Sequence, residues 1–386
     1  MRAALEEMVT MAWQDDVDKK KLGLIVNPMA GIGGKVGLKG SDGRTTVQRA
    51  LALGAVPVSQ ERALEALRPL AVLRERITLV TFPGEMGQSA ASGSGFDPVV
   101  LGSIQSGDTT AEDTLRAARA ISAYGAELIL FVGGDGTARD VFEALGDRRP
   151  VLGIPAGVKM HSSVFAVSPR QVAELVTGFF RGDVHLRPME VMDIDEELFR
   201  QGQVSAQLYG YMTVPFKRHL VQSAKVSSGA RASSVHAIAQ DVVDDMDDDW
   251  VYLLGPGTTV KAVGDDLGID KTLLGVDAVL GRRIIGKDAN ESGLLEVIAG
   301  KRAKIVVTVI GGQGYIFGRG NQQLSPRVIR QVGKDNIIVI AALDKLLALD
   351  GPLLVDTGDR ELDRELSGFI RVTTGYHSDT MWKVAY

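Results

Sequence analysis

The chain contains no cysteine among its 386 residues. This absence excludes disulfide bonds, thiolate metal sites and a cysteine nucleophile. Aromatic residues make up only 5%, and the longest apolar stretches, such as Ile337–Leu343, are far shorter than the ~18 residues that a membrane-spanning helix needs. Residues 1–20 are polar and lack a basic segment followed by an apolar stretch. We therefore expect a cytoplasmic protein with no membrane partner.

A basic excess is also missing. Lys and Arg total 43 and Asp and Glu total 48, which gives a formal net charge of −5. Proteins that bind duplex nucleic acid are usually basic, so we predict no nucleic-acid partner. Apolar residues at 45% and charged residues at 24% are typical of globular proteins, whereas 45 glycines are well above average usage. Such glycines suit loops in which the backbone closely approaches a ligand.

The length favours two domains, because a single core rarely grows beyond roughly 250–300 residues. We divide the chain into a polar leader (1–20), a first domain (21–183) and a second domain (184–386). In the first, helical patterns alternate with the predicted strands Leu22–Val26, Ile77–Phe82, Leu128–Val132 and Val151–Ile154. This alternation predicts parallel βαβ units. Helix starts are predicted at Ser59, at a capping box over Thr109–Glu112 and at a second capping box over Ser168–Gln171.

The second domain is strand-rich and has glycine turns, which predicts an α+β or sandwich-like fold. One helix is predicted at Ala232–Met246, where apolar residues recur every three or four positions. The predicted strands are Met189–Ile194, Ala206–Val214, Val251–Leu254, Lys304–Ile310, Ile337–Ile340, Leu353–Val355 and Ile370–Thr373.

Two glycine loops follow predicted strands of the first domain. Gly133-Gly134-Asp135-Gly136-Thr137 stands between a strand and a helix, at the sheet edge where open α/β folds bind ligands. Its glycines and the helix N-terminus suit a phosphate, and Asp135 is suited to accept a hydroxyl proton. The alternative is an aspartate that caps the helix.

The other loop, 27–34, follows the first strand. It contains Asn27, Gly31, Gly33 and Gly34, with Lys35 and Lys39 close behind. Its spacing matches neither the P-loop nor the dinucleotide fingerprint. An ordinary turn is the alternative, but two such loops at one sheet edge favour a nucleotide site.

Together the two loops resemble the superfamily that joins NAD kinases with diacylglycerol-type lipid kinases. The run Gly153–Ser162 is similar to that of the ATP-NAD kinase-like group, which includes the acetoin-catabolism X proteins. Similar segments are Val36–Gly43, Leu254–Thr259 and Gly318–Gln323. The resemblance spans residues 22–325. It implies an α/β fold with a Rossmann-like N-terminal domain, a strand-rich C-terminal domain and an active site between them.

The resemblance also implies an activity. The chain would be a kinase that transfers the terminal phosphate of ATP to the adenosine ribose 2′-hydroxyl of NAD or NADH, with Asp135 as general base. Mg²⁺ would be held mainly by the phosphates. Polyphosphate is an alternative donor. NAD kinases are usually oligomers, which implies a homodimer or homotetramer.

Further site residues fall into two groups. Beside the phosphates we place Gly133, Gly134, Gly136, Thr137, Lys159, His161 and Ser162, although His161 is equally suited to a hydrogen bond at a helix start. For the substrate we name Gly257, Thr258, Thr259, Asp277, Arg319, Asn321 and Gln322. By the resemblance, Gly257–Thr259 corresponds to a loop that contacts the dinucleotide. Asp277 could instead be a cap, and residues 319–322 a plain turn.

One departure from NAD kinases leaves the acceptor open. Their Asn-Glu or Asn-Asp pair follows the Gly-Gly-Asp-Gly loop, whereas the only Asn-Glu here, Asn290-Glu291, lies far downstream. Two alternatives therefore remain. The chain could phosphorylate another hydroxyl compound, a lipid or a small metabolite, or it could be a regulator that binds nucleotide without catalysis. Against a lipid acceptor, the sequence has no basic amphipathic helix.

Overall fold

The computed structural model describes residues 19–34, 36–38, 44–157, 160–194, 206–217, 221, 232–310, 314–349 and 351–386. Within them, the first half of the chain forms a five-stranded parallel sheet in the order β3-β2-β1-β4-β5. The strands are β1 (Lys20–Val26), β2 (Ile77–Thr81), β3 (Val99–Val100), β4 (Leu128–Gly133) and β5 (Val151–Pro155). The four longer strands were predicted from their apolar runs, and these predictions are confirmed.

Helices cover both faces of this sheet. They are α1 (Arg44–Ala52), α2 (Ser59–Leu67), α3 (Gln88–Gly93), α4 (Ala111–Tyr124), α5 (Asp135–Leu145) and α6 (Val172–Arg181). All six residues of β4 are buried, as expected for a central parallel strand packed on both faces. The strand order reverses between β1 and β4. A crevice therefore opens at their carboxyl ends, where the two glycine loops lie.

The capping box of α4 lies one residue later than predicted. The N-cap is Thr110, and its partner is Asp113 at the third helical position, not Glu112. The Asp113 carboxylate accepts a hydrogen bond from the Thr110 backbone N–H at 2.8 Å. Asp113 takes this role because the helix begins at Ala111, which makes Asp113 the third helical residue. The Ser168–Gln171 capping box is confirmed.

A two-stranded antiparallel sheet follows, formed by β6 (His185–Ile194) and β7 (Ala206–Phe216). Its buried residues Val191, Met212 and Val214 belong to the same hydrophobic core as the five-stranded sheet. The domain boundary near residue 183 stays a prediction.

The described part of the remaining chain forms one nine-stranded mixed sheet in the order β10-β9-β8-β11-β13-β15-β16-β14-β12. The strands are β8 (Val251–Leu254), β9 (Asp277–Leu280), β10 (Arg283–Gly286), β11 (Ala303–Thr308), β12 (Tyr315–Phe317), β13 (Ile337–Ile340), β14 (Leu353–Val355), β15 (Gly368–Gly375) and β16 (Ser378–Ala385). The strand-rich character predicted for the second domain is confirmed.

This sheet carries helices on both faces. They are α7 (Ala232–Asp244), α8 (Thr258–Asp266), α9 (Glu291–Ile298), α10 (Pro326–Val332), α11 (Leu343–Leu347) and α12 (Arg360–Leu366). Alternate residues of β8 enter different cores: Leu253 packs with Leu294 of α9, and Leu254 packs with Val260 of α8. The described part of this domain is therefore one sheet with helices on both faces, which is the α+β arrangement, and it does not contain two facing sheets.

Candidate active site

Asn27 joins the two glycine loops. It follows β1 directly, and its side-chain Oδ1 accepts a hydrogen bond from the Met29 backbone N–H at 3.1 Å, which forms a tight turn. Its Nδ2 donates to Thr137 Oγ1, on the first turn of α5, at 2.9 Å. One side chain therefore shapes the first loop and also binds it to the second.

Close backbone contacts bring a third loop, which follows β5, against the first two. Gly31 has a φ of +75°, and a Cβ at this position would lie 1.9 Å from the Ala156 carbonyl oxygen. A Cβ on Gly157 would lie 2.8 Å from the Gly134 Cα. Glycine is therefore required at these positions by the packing of three strand-end loops against one another.

Asp135 is the first residue of α5 and is only 7% exposed. Its carboxylate does not cap its own helix, whose N-cap residue is Gly134. Instead, Oδ2 accepts a hydrogen bond from the His161 backbone N–H at 2.7 Å, and Oδ1 accepts one from the Ser162 backbone N–H at 3.0 Å. A carboxylate oxygen has two lone pairs, so each keeps one for a further donor.

His161 and Ser162 are thus held through their backbones. The His161 ring Nδ1 lies 3.5 Å from Asp135 Oδ2 and receives no hydrogen bond from the described residues. The Ser162 hydroxyl donates to the Met192 carbonyl at 2.8 Å and accepts from the Met192 N–H at 3.0 Å. That hydroxyl fastens the loop to β6, which makes Ser162 a support for the site.

A large cleft of about 660 Å³ opens on one side of these loops. Its lining includes Asn27, Met29, Thr110, Gly136 and Thr137, and the N-termini of α4 and α5 reach it. Helix N-termini present unpaired N–H groups and the positive end of the helix dipole, so they favour phosphate. The cleft has the shape and the donors for a phosphorylated ligand.

A smaller cavity of about 110 Å³ lies on the other side, between the two halves of the chain. The first half contributes Gly31, Gly34, Arg62 and Gly157, among others. The second half contributes Gly318, Arg319, Gln322, Asp356 and Thr357, among others.

A buried ion pair crosses this boundary. Arg62 NH1 of α2 donates to Asp356 Oδ1 at 2.6 Å, and Arg319 Nε lies 3.9 Å from Asp356 Oδ2. Burial alone would raise the pKa of Asp356, but the charges of Arg62 and Arg319 outweigh it and hold that pKa below its ordinary value. The same partnership raises the pKa of Arg62 against the effect of burial. Both groups are therefore charged at neutral pH.

Arg319 and Asn321 are both buried, and both make hydrogen bonds within the protein. Arg319 donates to the Val167 carbonyl at 3.1 Å, and its guanidinium lies over the ring of Tyr315. Asn321 donates to the Ile316 carbonyl and accepts from the Gly318 N–H. Arg319 and Gln322 line the small cavity, whereas Asn321 shapes the turn that carries them.

Other residues named from the sequence lie outside both cavities. Gly257–Thr259 begin α8, and neither they nor Asp277 line the large cleft or the small cavity. Asp277 is fully buried, and its carboxylate accepts hydrogen bonds from the backbone N–H groups of Thr272 and Asp288. We therefore leave Asp277 out of the site. Lys39 and Lys159 lie outside the described residues, as does Lys35.

The side chains of Asn290 and Glu291 both make hydrogen bonds within the fold. Asn290 caps α9 by accepting a hydrogen bond from the Gly293 N–H at 3.0 Å, and Glu291 accepts one from the Ser325 hydroxyl at 2.5 Å. Asn290 therefore starts α9, and Glu291 joins α9 to the start of α10.

Sequence reasoning missed Arg62 and Asp356. Asp356 directly follows the predicted strand Leu353–Val355 and precedes Thr357-Gly358, so a polar strand end next to a glycine was the available signal. Arg62 gave no such signal in the sequence, because a charged residue on an amphipathic helix is normally exposed to solvent.

Two family models match the chain. One describes the ATP-NAD kinase N-terminal domain and matches residues 22–184; the other describes the ATP-NAD kinase C-terminal domain and matches residues 247–384. The chain belongs to the ATP-NAD kinase family. Its domains are thus those of a kinase family, which supports phosphotransfer and nucleotide binding. A search of curated proteins found no match.

Solved structures were also compared. Three described as diacylglycerol kinases from Bacillus anthracis str. Sterne have 16–18% identity and TM-scores of 0.25, 0.27 and 0.25. The alignments cover 46–47% of this chain and 44–46% of those chains. The chain thus spans less than half the length of these structures, and the family assignment rests on the two sequence models.

Among the residues that the structure describes, none of the helices is long and apolar enough to cross a membrane. In the same part of the chain, His, Asp and Glu side chains form no group of three or more that could hold a metal ion.

Proposed function

We propose that this protein transfers the terminal phosphate of ATP, or of polyphosphate, to the adenosine ribose 2′-hydroxyl of NAD or NADH. The observation that carries the proposal is the position of Asp135 in the chain. Gly134 before it packs against Gly157 of the small cavity, and Gly136 after it lines the large cleft. Asp135 itself lines neither cavity, but it stands between these two glycines, so a donor in the cleft and an acceptor at the cavity would meet beside it.

The large cleft suits the phosphoryl donor. Two helix N-termini and the Thr137 hydroxyl supply hydrogen-bond donors, and Arg139 lines the cleft with its guanidinium 3.6 Å from the Asp140 carboxylate. Its volume of about 660 Å³ falls in the usual range of small-molecule and cofactor pockets. The same donors would serve polyphosphate, which carries no base or sugar to be recognised.

The chemistry asks for positioning and one proton acceptor. The Asp135 carboxylate would accept the proton of the acceptor hydroxyl as its oxygen attacks the terminal phosphorus. The bond from that phosphorus to the bridging oxygen breaks, and ADP, or the shortened polyphosphate, leaves with the bond's electrons. The two loop N–H groups that bind Asp135 fix the carboxylate in place and leave a lone pair on each oxygen for this proton.

Mg²⁺ fits this arrangement through the phosphates. Asp108 and Asp140 line the cleft, and a magnesium ion usually combines one or two carboxylates with phosphate and water ligands. When bound, the ion would neutralise charge on the transferring phosphate.

The test is a coupled assay for NADP formation from NAD, ATP and Mg²⁺, with polyphosphate as a second donor. Wild type and Asp135→Asn are assayed side by side. NADP formed by wild type and lost in the variant supports the proposal. If no donor yields NADP, NAD is not the acceptor, and a screen of other hydroxyl compounds, lipids included, follows. ATP and NAD binding without turnover would indicate a regulator.

A further inference from the structure

The small cavity between the two halves carries a carboxylate for which the proposed chemistry has no role so far. Asp356 is 8% exposed and lines this cavity together with Arg62, Arg319 and Gln322. We propose that the cavity binds a hydroxyl-bearing part of the acceptor, with Asp356 Oδ2 accepting a hydrogen bond from a ligand hydroxyl. The identification of that ligand as the acceptor rests on the proposed function.

The two oxygens of Asp356 differ in their partners. Oδ1 accepts a hydrogen bond from Arg62 at 2.6 Å. Oδ2 is buried, and among the residues that the structure describes none donates a hydrogen bond to it; Arg319 Nε lies 3.9 Å away. Buried carboxylate oxygens normally have a donor, and an exception at the wall of a cavity calls for a functional explanation. Oδ2 has almost no accessible surface as the side chain stands, so a ligand hydroxyl would supply that donor after a small rotation of the Asp356 side chain.

The charges around Oδ2 select a neutral group. A phosphodiester has no hydrogen to donate, and its charge would meet the charge of Asp356 together with Glu61 and Glu65, which line the same cavity. An ammonium group at Oδ2 would lie beside the two guanidinium groups of Arg62 and Arg319. A hydroxyl donates to the carboxylate without either repulsion.

The size of the cavity sets the scale of the ligand part. The cavity, of about 110 Å³, is much smaller than the large cleft of about 660 Å³, and it adjoins an open cleft with which it shares Glu61, Arg62, Glu65, Asp356 and Gly358. We therefore assign to it only one part of the acceptor, such as an edge of a sugar with its hydroxyls. The remainder of an acceptor would therefore extend beyond the cavity.

The cavity also lies next to the loop that carries Asp135. Gly157 lines it, and a Cβ on Gly157 would lie 2.8 Å from the Cα of Gly134, the residue before Asp135. A hydroxyl compound seated against Asp356 would thus lie close to the loop that carries the proposed base. Asp356 would act as a specificity residue, holding hydroxyls that are not themselves phosphorylated.

The experiment measures NAD binding by calorimetry without any phosphoryl donor, in wild type, Asp356→Asn and Asp363→Asn. Asp363 is the matched control: it is a buried aspartate of the same segment, and its carboxylate accepts hydrogen bonds from the N–H and hydroxyl of Thr357. We expect at least a tenfold weaker Kd for NAD in Asp356→Asn, an unchanged Kd in Asp363→Asn and an unchanged Kd for ATP in both.

A second variant separates a loss of NAD binding from a loss of the folded state. Asp356→Glu keeps the negative charge for Arg62 but extends the carboxylate by one methylene group, so it should also weaken NAD binding at least tenfold. Melting temperatures are recorded for all variants. If Asp356→Asn or Asp356→Glu folds and binds NAD as wild type does, the inference is overturned, while NADP formation by wild type still supports the proposed function.

Failure of the proposed function gives a different pattern. If wild type forms no NADP, it is titrated with D-ribose at millimolar concentration. Ribose binding that is lost in Asp356→Asn but kept in Asp363→Asn supports the cavity as a hydroxyl site and leaves the acceptor to be found. If wild type binds neither NAD nor ribose, the inference is overturned together with the proposed acceptor.

Discussion

The side-chain amide of Asn27 donates a hydrogen bond to the Thr137 hydroxyl at 2.9 Å, across 110 positions of sequence. This bond connects the carboxyl ends of β1 and β4, the two strands between which the sheet order reverses. Loops that diverge at such a point leave a crevice. The Asn27–Thr137 bond sets the relative position of the crevice's two walls.

Removal of the Thr137 hydroxyl should therefore loosen the donor site. Thr137→Val keeps the shape of the side chain but loses the bond, and we expect the KM for the phosphoryl donor to rise about 2- to 10-fold, in line with the worth of one neutral hydrogen bond. Thr137→Ser retains the hydroxyl and is the control. Steady-state kinetics with varied ATP measures both. An equal KM in the two variants would show that the Thr137 hydroxyl does not position the donor site.

Asp135→Asn should lower kcat by about 10²- to 10⁴-fold, the usual contribution of a general base. The asparagine amide can accept a hydrogen bond from only one of the two loop N–H groups, His161 or Ser162, and its NH2 group would face the other. Binding of ATP, which depends on the donors of the large cleft, should change less than kcat. Calorimetry with ATP and single-turnover kinetics separate the two effects.

Ser162→Ala is the control for the loop itself, since the Ser162 hydroxyl bonds only to the backbone of β6 among the contacts described. It should lower the melting temperature and leave the pH dependence of kcat as in wild type. A loss of kcat in Ser162→Ala as large as in Asp135→Asn would assign Asp135 a purely structural role.

Gly31→Ala should destabilise the protein more than Gly182→Ala does. Both glycines have a φ of +75°, so each substitution pays about 1–2 kcal/mol for the left-handed backbone. A Cβ at Gly31 would also lie 1.9 Å from the Ala156 carbonyl oxygen, whereas nothing lies within 4 Å of a Cβ at Gly182. The clash should add about 1–3 kcal/mol to the loss at Gly31.

Urea unfolding measures the two glycine variants, and the KM for the acceptor should rise in Gly31→Ala alone, because Gly31 lines the small cavity. Equal losses of unfolding free energy would show that the strand-end loops are not tightly packed.

The stability conferred by Asp356 should disappear in acid. Its pKa is lowered in the folded protein, because Arg62 and Arg319 outweigh the effect of burial. The unfolded chain then binds more protons as the pH falls below about 4, so this stabilisation is present above the ordinary aspartate pKa and is lost below it. The difference in unfolding free energy between wild type and Asp356→Asn should shrink between pH 6 and pH 3.

Asp363 should behave in the opposite way. Burial raises its pKa in the folded protein, so the folded state takes up the proton first, and wild type should gain stability relative to Asp363→Asn as the pH falls. Urea unfolding of the three proteins at pH 6, 4.5 and 3 measures both trends. The same sign of change in both variants would contradict the assigned partners.

Local patterns predicted much of this structure. Apolar runs bounded by turn residues predicted β1, β2, β4, β5, β8, β13 and β14 to within a residue or two, because a strand buried on both faces must be apolar throughout. The short or exposed elements β3, β10, β12 and α11 were not predicted, since two to five residues carry too little periodicity. The Thr109–Glu112 capping box was displaced by one residue, because the helix begins at Ala111 and Asp113 is therefore its third residue.

The sequence by itself determined where a site could form: two glycine loops follow buried strands, and parallel strands bring such loops to one edge. Only the tertiary structure decided which polar residues serve that site. Arg62 and Asp356 meet across 294 positions, whereas Asp277 and Asn321 form hydrogen bonds inside the protein. The partner of a buried polar group depends on how distant elements pack, and no local pattern of residues encodes that packing.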